Sequence, residues 1–175
     1  MYLPSDDSFL LAECASKYHG KSALEIGVGS GIVLSLLCKN FKIVAGTDIN
    51  LEALRFCINN VPYCVLLACC DAASAFHYNF DLIVSNPPYL PNDNDNKKDF
   101  TVHGGVSGVE TAIHIVKSAT LVLAKHGKML IVLSTFSNIS KIDELMKNMR
   151  LKRTLIKERK LFFETLSVHE IGLDD

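Results

Sequence analysis

The stretch Glu25-Ile26-Gly27-Val28-Gly29-Ser30-Gly31 decides how this chain folds. Before it lies a short apolar run, residues 22–26, that reads as a strand. After it, residues 30–39 place Ile32, Val33, Leu36 and Leu37 on one side at helical spacing. Glycines at a strand-to-helix turn allow a tight bend and let a ligand approach the backbone at the helix N-terminus. A plain turn would not need three of them in five positions. The pattern E-x-G-x-G-x-G also differs from G-x-G-x-x-G, which counts against a nicotinamide cofactor.

The alternation continues outward. Residues 42–47 read as a second strand, and Asn50 caps a helix through residue 60 with Leu51, Leu54 and Ile58 on its buried side. Residues 63–68 and 80–85 are two more apolar strands. Residues 109–125 read as a long amphipathic helix closed by Gly127. Residues 128–134 form the next strand and 138–149 the next helix. Residues 151–157 and 165–171 follow one another with no helix between them, hence a terminal hairpin. Such a sequence predicts an α/β domain over residues 1–175, with a mostly parallel seven-stranded sheet, helices on both faces and a C-terminal antiparallel hairpin. Ligands of such sheets bind beyond the carboxyl ends of the strands, near the point where strand order reverses.

Composition agrees. A chain of 175 residues suits one domain, with 49% hydrophobic and 21% charged residues, which excludes a disordered chain. Eighteen Lys and Arg against nineteen Asp and Glu leave no positive excess of the kind that grips duplex nucleic acid. Six cysteines follow no ligand spacing and read as small buried hydrophobes in a reducing cytosol, so no metal site is expected. The polar, acidic N-terminus is unlike a signal peptide, and no apolar run nears the ~20 residues that span a bilayer. The expected location is the cytoplasm.

Each strand end carries a motif. Asp48, in Thr47-Asp48-Ile49-Asn50, lies 21 residues beyond Gly27, where a carboxylate can accept hydrogen bonds from both ribose hydroxyls. Asn50 is the better helix cap, which leaves Asp48 for a ligand, with Ile49 beside it. Asp71-Ala72 could hold an adenine, the carboxylate taking the exocyclic amino group and a backbone N–H meeting a ring nitrogen. Alone, Asp71 reads equally well as a turn residue. Ser85-Asn86-Pro87-Pro88-Tyr89 is the most specific segment. Proline donates no backbone hydrogen bond and restrains its predecessor. The segment is therefore stiff and offers acceptors only: the Asn86 amide oxygen and the Pro87 carbonyl. Two fixed acceptors suit one planar N–H₂ group.

Together these motifs resemble the class I, Rossmann-like methyltransferases that use S-adenosylmethionine, in the branch marked by (D/N)-P-P-(Y/F). Tyr2-x-Pro4-Ser5-x-Asp7-Ser8-Phe9-Leu10-Leu11 is similar to the opening motif of the protein-glutamine N5-methyltransferases that act on translation release factors. Gly104-Gly105-x-x-Gly108 resembles that family's paired-glycine segment. Glu164-Thr165-Leu166-Ser167-Val168 is similar to the last strand of its short archaeal and eukaryotic members. Leu3 and Ser107 depart from the family's usual acidic and Asp or Asn residues. Only about twenty residues precede the first strand, so the helical recognition domain of the bacterial type is not expected.

The resemblance implies that residues 1–20 cover the cofactor, with Ser8 over its methionine end, and that residues 86–108 form the substrate loop. Gly27 and Gly29 would cradle the cofactor, and Glu25 would orient the glycine loop or receive the methionine amino group. Asn86 and Pro87 would hold the acceptor nitrogen in line with the methyl group while Pro88 and Tyr89 stack on it. None of His77, His103, His114, His126 and His169 is required as a base. The family's short members work with a small zinc-binding subunit that adds a strand beside the cofactor site, and strand 63–68 is expected at that sheet edge; ordinary loops would cover it equally well. The basic residues Lys152, Arg153, Lys157, Arg159 and Lys160 read as a solvated hairpin face or as an RNA-facing patch. A base methyltransferase acting on adenine N6 or cytosine N4 of DNA or RNA is the alternative, because those amino groups are planar too.

Overall fold

Strands made of consecutive apolar residues need cover on both faces, and that requirement arranges every element. The computed structural model describes residues 3–62, 65–92 and 102–174. In chain order these are α1 (Asp6–Ala15), β1 (Gly20–Ile26), α2 (Ile32–Asn40), β2 (Phe41–Asp48), α3 (Leu51–Ile58) and β3 (Val65–Cys69). Next come β4 (Phe80–Ser85), α4 (Glu110–Thr120), β5 (Leu123–Ser134), α5 (Ile139–Met149), β6 (Leu151–Lys160) and β7 (Thr165–Leu173).

The strands form one sheet of order β3-β2-β1-β4-β5-β7-β6. The first five in that order run parallel, and β7 pairs antiparallel with both β5 and β6. This is the expected mostly parallel, seven-stranded Rossmann-like architecture. Leu24, Ile26, Ile83, Ile131 and Leu133 face α4 and α5. Their neighbours Ala23, Leu82, Val84, Leu130 and Val132 share the other core with Leu10 and Leu11 of α1 and Leu34 and Leu37 of α2. The chain leaves β1 toward β2 and β3, then returns on its other side as β4. That reversal opens a crevice at the carboxyl ends of β1 and β4.

Several expectations are corrected. Helix α4 stops at Thr120, and residues 123–127 belong to β5 rather than to the helix. Phe80 donates its N–H to the Val122 carbonyl (2.8 Å), and sheet pairing overrides the helical spacing. Phe80 pairs with Leu123 but Leu82 with Lys128, so an irregularity separates them. Gly127 sits in that irregularity and is no helix cap: a Cβ there would lie 2.8 Å from the Phe80 carbonyl oxygen. Helix α1 has no counterpart in the sequence reading. Tyr63 and Cys64, expected to open β3, lie outside the described residues, while β3 itself forms the expected edge. Cys14 and Cys57 are buried as expected, but Cys69 is exposed. Among the described residues no helix is long and apolar enough to cross a membrane.

Three of the five hairpin cations are held internally. Arg153 bonds Asp143 (2.5 Å), Lys157 pairs with Glu13, and Arg159 reaches Asp6 at 3.0 Å and Glu13 at 3.7 Å. His169, 6% exposed, sits against the Arg153 guanidinium and the Ser167 hydroxyl. Burial first, then the Arg153 charge, push its imidazole down to about 4, with Asp143 pulling the other way. Below pH 6.5 the unfolded chain therefore takes up a proton that the folded chain refuses. The stability His169 contributes is complete above pH 6.5 and is lost as pH falls through about 4. Urea unfolding at pH 7 and pH 4.5 should show His169→Gln losing about 1–3 kcal/mol less than the parent on acidification; parallel losses would refute the assignment.

Candidate active site

A cavity of about 320 Å³ opens at the carboxyl ends of β1, β2 and β4. Gly27, Gly29 and Gly31 line the turn from β1 to α2 with φ of 81°, 47° and 79°, values that side chains disfavour. The turn is pinned to β2. Gly27 and Val28 donate N–H groups to the Thr47 carbonyl (2.8 and 3.0 Å), and Gly29 donates to Asp48 Oδ2 (3.1 Å). Asp48 Oδ1 accepts from the Asn50 N–H (2.8 Å), while Asn50 Oδ1 caps α3 by accepting from Glu52 N–H (2.9 Å). One carboxylate thus fixes both sides of the crevice.

Three buried polar atoms in this cavity have no hydrogen-bond partner among the described residues: Glu25 Oε2, Thr47 Oγ1 and Asn86 Oδ1. Buried polar atoms are paired in the large majority of cases, so three together mark a place for a polar ligand. Burial pushes the Glu25 carboxyl well above its usual range; the Leu34 N–H opposes this and the Asp48 charge adds to it. Asp7, Glu25, Asp48 and Asp71 line the cavity, and no Lys or Arg does among the described residues. Such a lining suits a ligand carrying positive charge.

At one end, Ile49 is exposed beside the cavity and Ala72 holds a left-handed φ of 46°, a strain of about 1–2 kcal/mol. Asp71 Oδ1 lies 2.8 Å from His114 Nε2. At the other end stands Asn86-Pro87-Pro88-Tyr89. Ser85 Oγ donates to the Ile26 carbonyl (2.8 Å), fastening the end of β4 to β1. Tyr89 donates its hydroxyl to Asp7 Oδ2 (3.3 Å), and Ser8 Oγ donates to Asp7 Oδ1 (3.1 Å), joining α1 to this wall.

The paired-glycine segment lies directly on this wall. A Cβ on Gly104 would stand 2.3 Å from the Pro88 carbonyl oxygen, and one on Gly108 2.4 Å from that of Tyr89. Leu90 N–H donates to Val102 O (2.9 Å), and Gly104 N–H donates to Leu90 O (2.8 Å). Ser107 donates its N–H and hydroxyl to Glu110 (3.0 and 2.6 Å), and Lys141 Nζ reaches Glu110 Oε1 at 3.2 Å. Burial raises the Glu110 carboxyl, but the Ser107 and Lys141 hydrogen bonds outweigh it and bring it down to about 2.

Residues 6–163 match the family model of the methyltransferase small domain. The chain belongs to the methyltransferase small domain family. As a methyltransferase it is 31% identical to a Methanocaldococcus jannaschii protein whose name proposes protein N5-glutamine methylation, over 96% of this chain and 89% of that one. Its fold is similar to that in the E. cuniculi Mtq2–Trm112 complex, which methylates the eRF1 termination factor: TM-score 0.80, 21% identity, 98% of each chain covered. It is also similar to the Bradyrhizobium japonicum N-methyltransferase NodS solved with S-adenosyl-L-homocysteine: TM-score 0.67, 14% identity, 95% of this chain and 88% of that one.

The cavity of this methyltransferase brings together Ser8, Glu25, Gly27, Gly29, Asp48, Ile49, Asp71, Ala72 and Asn86-Pro87-Pro88-Tyr89. The sequence reading passed over three neighbours. Asp7 stands in the sequence only as part of a motif, although an acidic residue followed by the buried run from Leu10 is its signal. His114 looks like the other histidines, and only the fold lays α4 beside Asp71. Ser137, whose hydroxyl donates to the Tyr89 carbonyl (3.0 Å), carried no signal. Gly104→Ala should displace the Pro88 carbonyl and lower methyl transfer at least tenfold. S-adenosylhomocysteine affinity, measured by calorimetry, should stay within threefold of the parent; equal losses of both would contradict the local effect.

Proposed function

We propose that the chain transfers a methyl group from S-adenosylmethionine to the side-chain amide nitrogen of the glutamine in a release factor Gly-Gly-Gln loop. The observation that carries the proposal is Asn86 Oδ1, a buried acceptor without a partner among the described residues, in a cavity that Pro87 also lines. Similarity to the M. jannaschii relative over nearly the whole chain supports the same acceptor.

The residues fit the cofactor. Asp48 would accept the ribose hydroxyls, Asp71 and the Ala72 N–H would hold the adenine with Ile49 beside it, and Gly27 and Gly29 would admit the methionine portion. Glu25 would orient the glycine loop or receive the ammonium group, with Ser8 over that end. The acidic lining suits the sulfonium charge. When bound, S-adenosylmethionine supplies a methyl group already activated for attack.

The chain's own task is placement. An amide nitrogen is a weak nucleophile because its lone pair is delocalised into the carbonyl. Asn86 Oδ1 and the Pro87 carbonyl accept its two N–H bonds, direct the lone pair at the methyl group and favour the positive charge developing on nitrogen. Pro88 and Tyr89 hold the planar amide from its faces. The product nitrogen loses its proton to water, so no histidine acts as base. Residues 1–175 act as one catalytic domain, with 1–20 over the cofactor and 86–108 at the acceptor, in the cytoplasm where release factors work.

We further propose that β3 receives a strand from a small zinc-binding subunit. This edge strand exposes Leu66 and carries neither Lys nor Pro in residues 65–69. The structural neighbour Mtq2 is in complex with Trm112. Activity on release factor, compared between the chain alone and the co-expressed pair, tests this: full activity from a soluble monomer removes the subunit from the account.

Asp48→Ala should weaken S-adenosylmethionine by about 1.5–3 kcal/mol in calorimetry, the range for hydrogen bonds to a charged group. Asn86→Ala should keep cofactor affinity within a few-fold while methyl transfer falls roughly 10²–10³-fold, as on loss of one preorganised transition-state hydrogen bond. Incubation with labelled S-adenosylmethionine, release factor and RNA tests the acceptor. Label on the Gly-Gly-Gln glutamine is expected; label on an adenine or cytosine amino group instead would overturn the proposal.

A further inference from the structure

The turn between β6 and β7 is built against the usual rule. Leu161 N–H donates to the Glu164 carbonyl (2.7 Å), which makes Phe162 and Phe163 its two corner residues. Turn corners ordinarily carry Gly, Asn, Asp or Pro. Here two phenyl rings stand 92% and 81% exposed, edge to face with centroids 4.7 Å apart. They bury almost nothing within the chain, so folding does not account for them, and exposed apolar groups of this size mark contact surfaces.

Position says what they meet. Ser85 at the end of β4 pairs with Ile131, β5 runs three residues further to Ser134, and Ser134 pairs with Leu166 near the start of β7. The turn therefore projects beyond the carboxyl ends of the strands, at the Asn86 end of the sheet. With strands ~4.8 Å apart and ~3.3 Å of rise per residue, it stands roughly 10 Å to the side of β4 and about 20 Å beyond it. Glu164 at its base accepts a 2.5 Å hydrogen bond from Ser134 Oγ, which also accepts the Phe136 N–H. The Asn138 N–H donates to Ser107 O, beside Val106. Phe136 and Val106 are exposed as well, so the apolar rim runs from the turn to the paired-glycine segment against Pro88 and Tyr89. The Lys157 and Arg159 ion pairs to α1 hold the hairpin rigidly beside the helix that carries Asp7 and Ser8.

We propose that the Phe162–Phe163 turn, continued by Phe136 and Val106, is the surface on which the acceptor protein docks outside its glutamine loop, through an apolar patch of its own. The inference rests on the proposed acceptor and adds where that acceptor is gripped. Chemistry favours a protein over RNA: three of the five hairpin cations, Arg153, Lys157 and Arg159, are engaged by carboxylates of this chain, which leaves less positive charge for phosphates. Area favours it too. Two phenyl groups bury about 300–500 Å², a large share of the roughly 800 Å² per side of a specific interface.

The test is steady-state kinetics of the parent, F162S/F163S and F162L/F163L with intact release factor and with a short Gly-Gly-Gln peptide, alongside calorimetry with S-adenosylhomocysteine. For F162S/F163S, KM for the intact factor should rise at least tenfold. Its kcat, the kinetics of any peptide turnover and cofactor affinity should stay within twofold, and F162L/F163L should recover most of the loss. An unchanged KM for the intact factor overturns the inference while the acceptor assignment stands. Methylation of neither acceptor by the parent overturns both. A KM change that follows a shift in self-association assigns the turn to a second copy of the chain, and loss of RNA crosslinking with normal kinetics assigns it to RNA; either overturns the inference.

Discussion

The active end of this protein depends on two backbones lying closer than side chains allow. Gly104 and Gly108 sit on the Pro88 and Tyr89 carbonyls with no room for a Cβ. Because Pro87 and Pro88 have no backbone N–H to anchor them, the segment is held by what packs on its carbonyl side. The glycines supply that contact, Ser137 caps the Tyr89 carbonyl, and the Ser107–Glu110–Lys141 network ties the glycine segment to α4 and α5. The segment is thereby held in place, which suits the placement role proposed for it.

The two halves of the cavity use opposite chemistry. The half at β1 and β2 is a helix N-terminus and a set of carboxylates, with Asp48 holding the glycine turn and α3 in register. The half at β4 presents the unpartnered Asn86 amide oxygen beside Pro87, Pro88 and Tyr89. Both are free of Lys and Arg among the described residues. On the proposed reading, a cationic donor and a nitrogen that becomes cationic during transfer would both be favoured there, since low-polarity surroundings strengthen each interaction.

The terminal hairpin lies outside the cavity. Its basic residues look in the sequence like a patch for an anionic partner, yet three of the five close onto Asp6, Glu13 and Asp143. Exposed ion pairs of this kind add little stability individually. Their effect here is geometric, because they fix β6 against α1 and so fix the aromatic turn relative to the cavity.

Much of this was legible in the amino-acid order. The run Glu25–Gly31, the apolar strands and the carboxylate at Asp48 follow local rules of period, turn and capping, and these determined the mostly parallel sheet, its terminal hairpin and the family resemblance. The misreadings were non-local. Residues 121–125 carry a helical pattern, but Leu123 pairs with Phe80 of β4, because a strand edge offers hydrogen bonds that a frayed helix end does not. Only the tertiary structure laid His114 beside Asp71, Asp7 beneath the Tyr89 hydroxyl and Ser137 under its carbonyl. Those contacts join residues 43, 82 and 48 positions apart, and spacing along a chain is silent about neighbours that only a closed fold brings together.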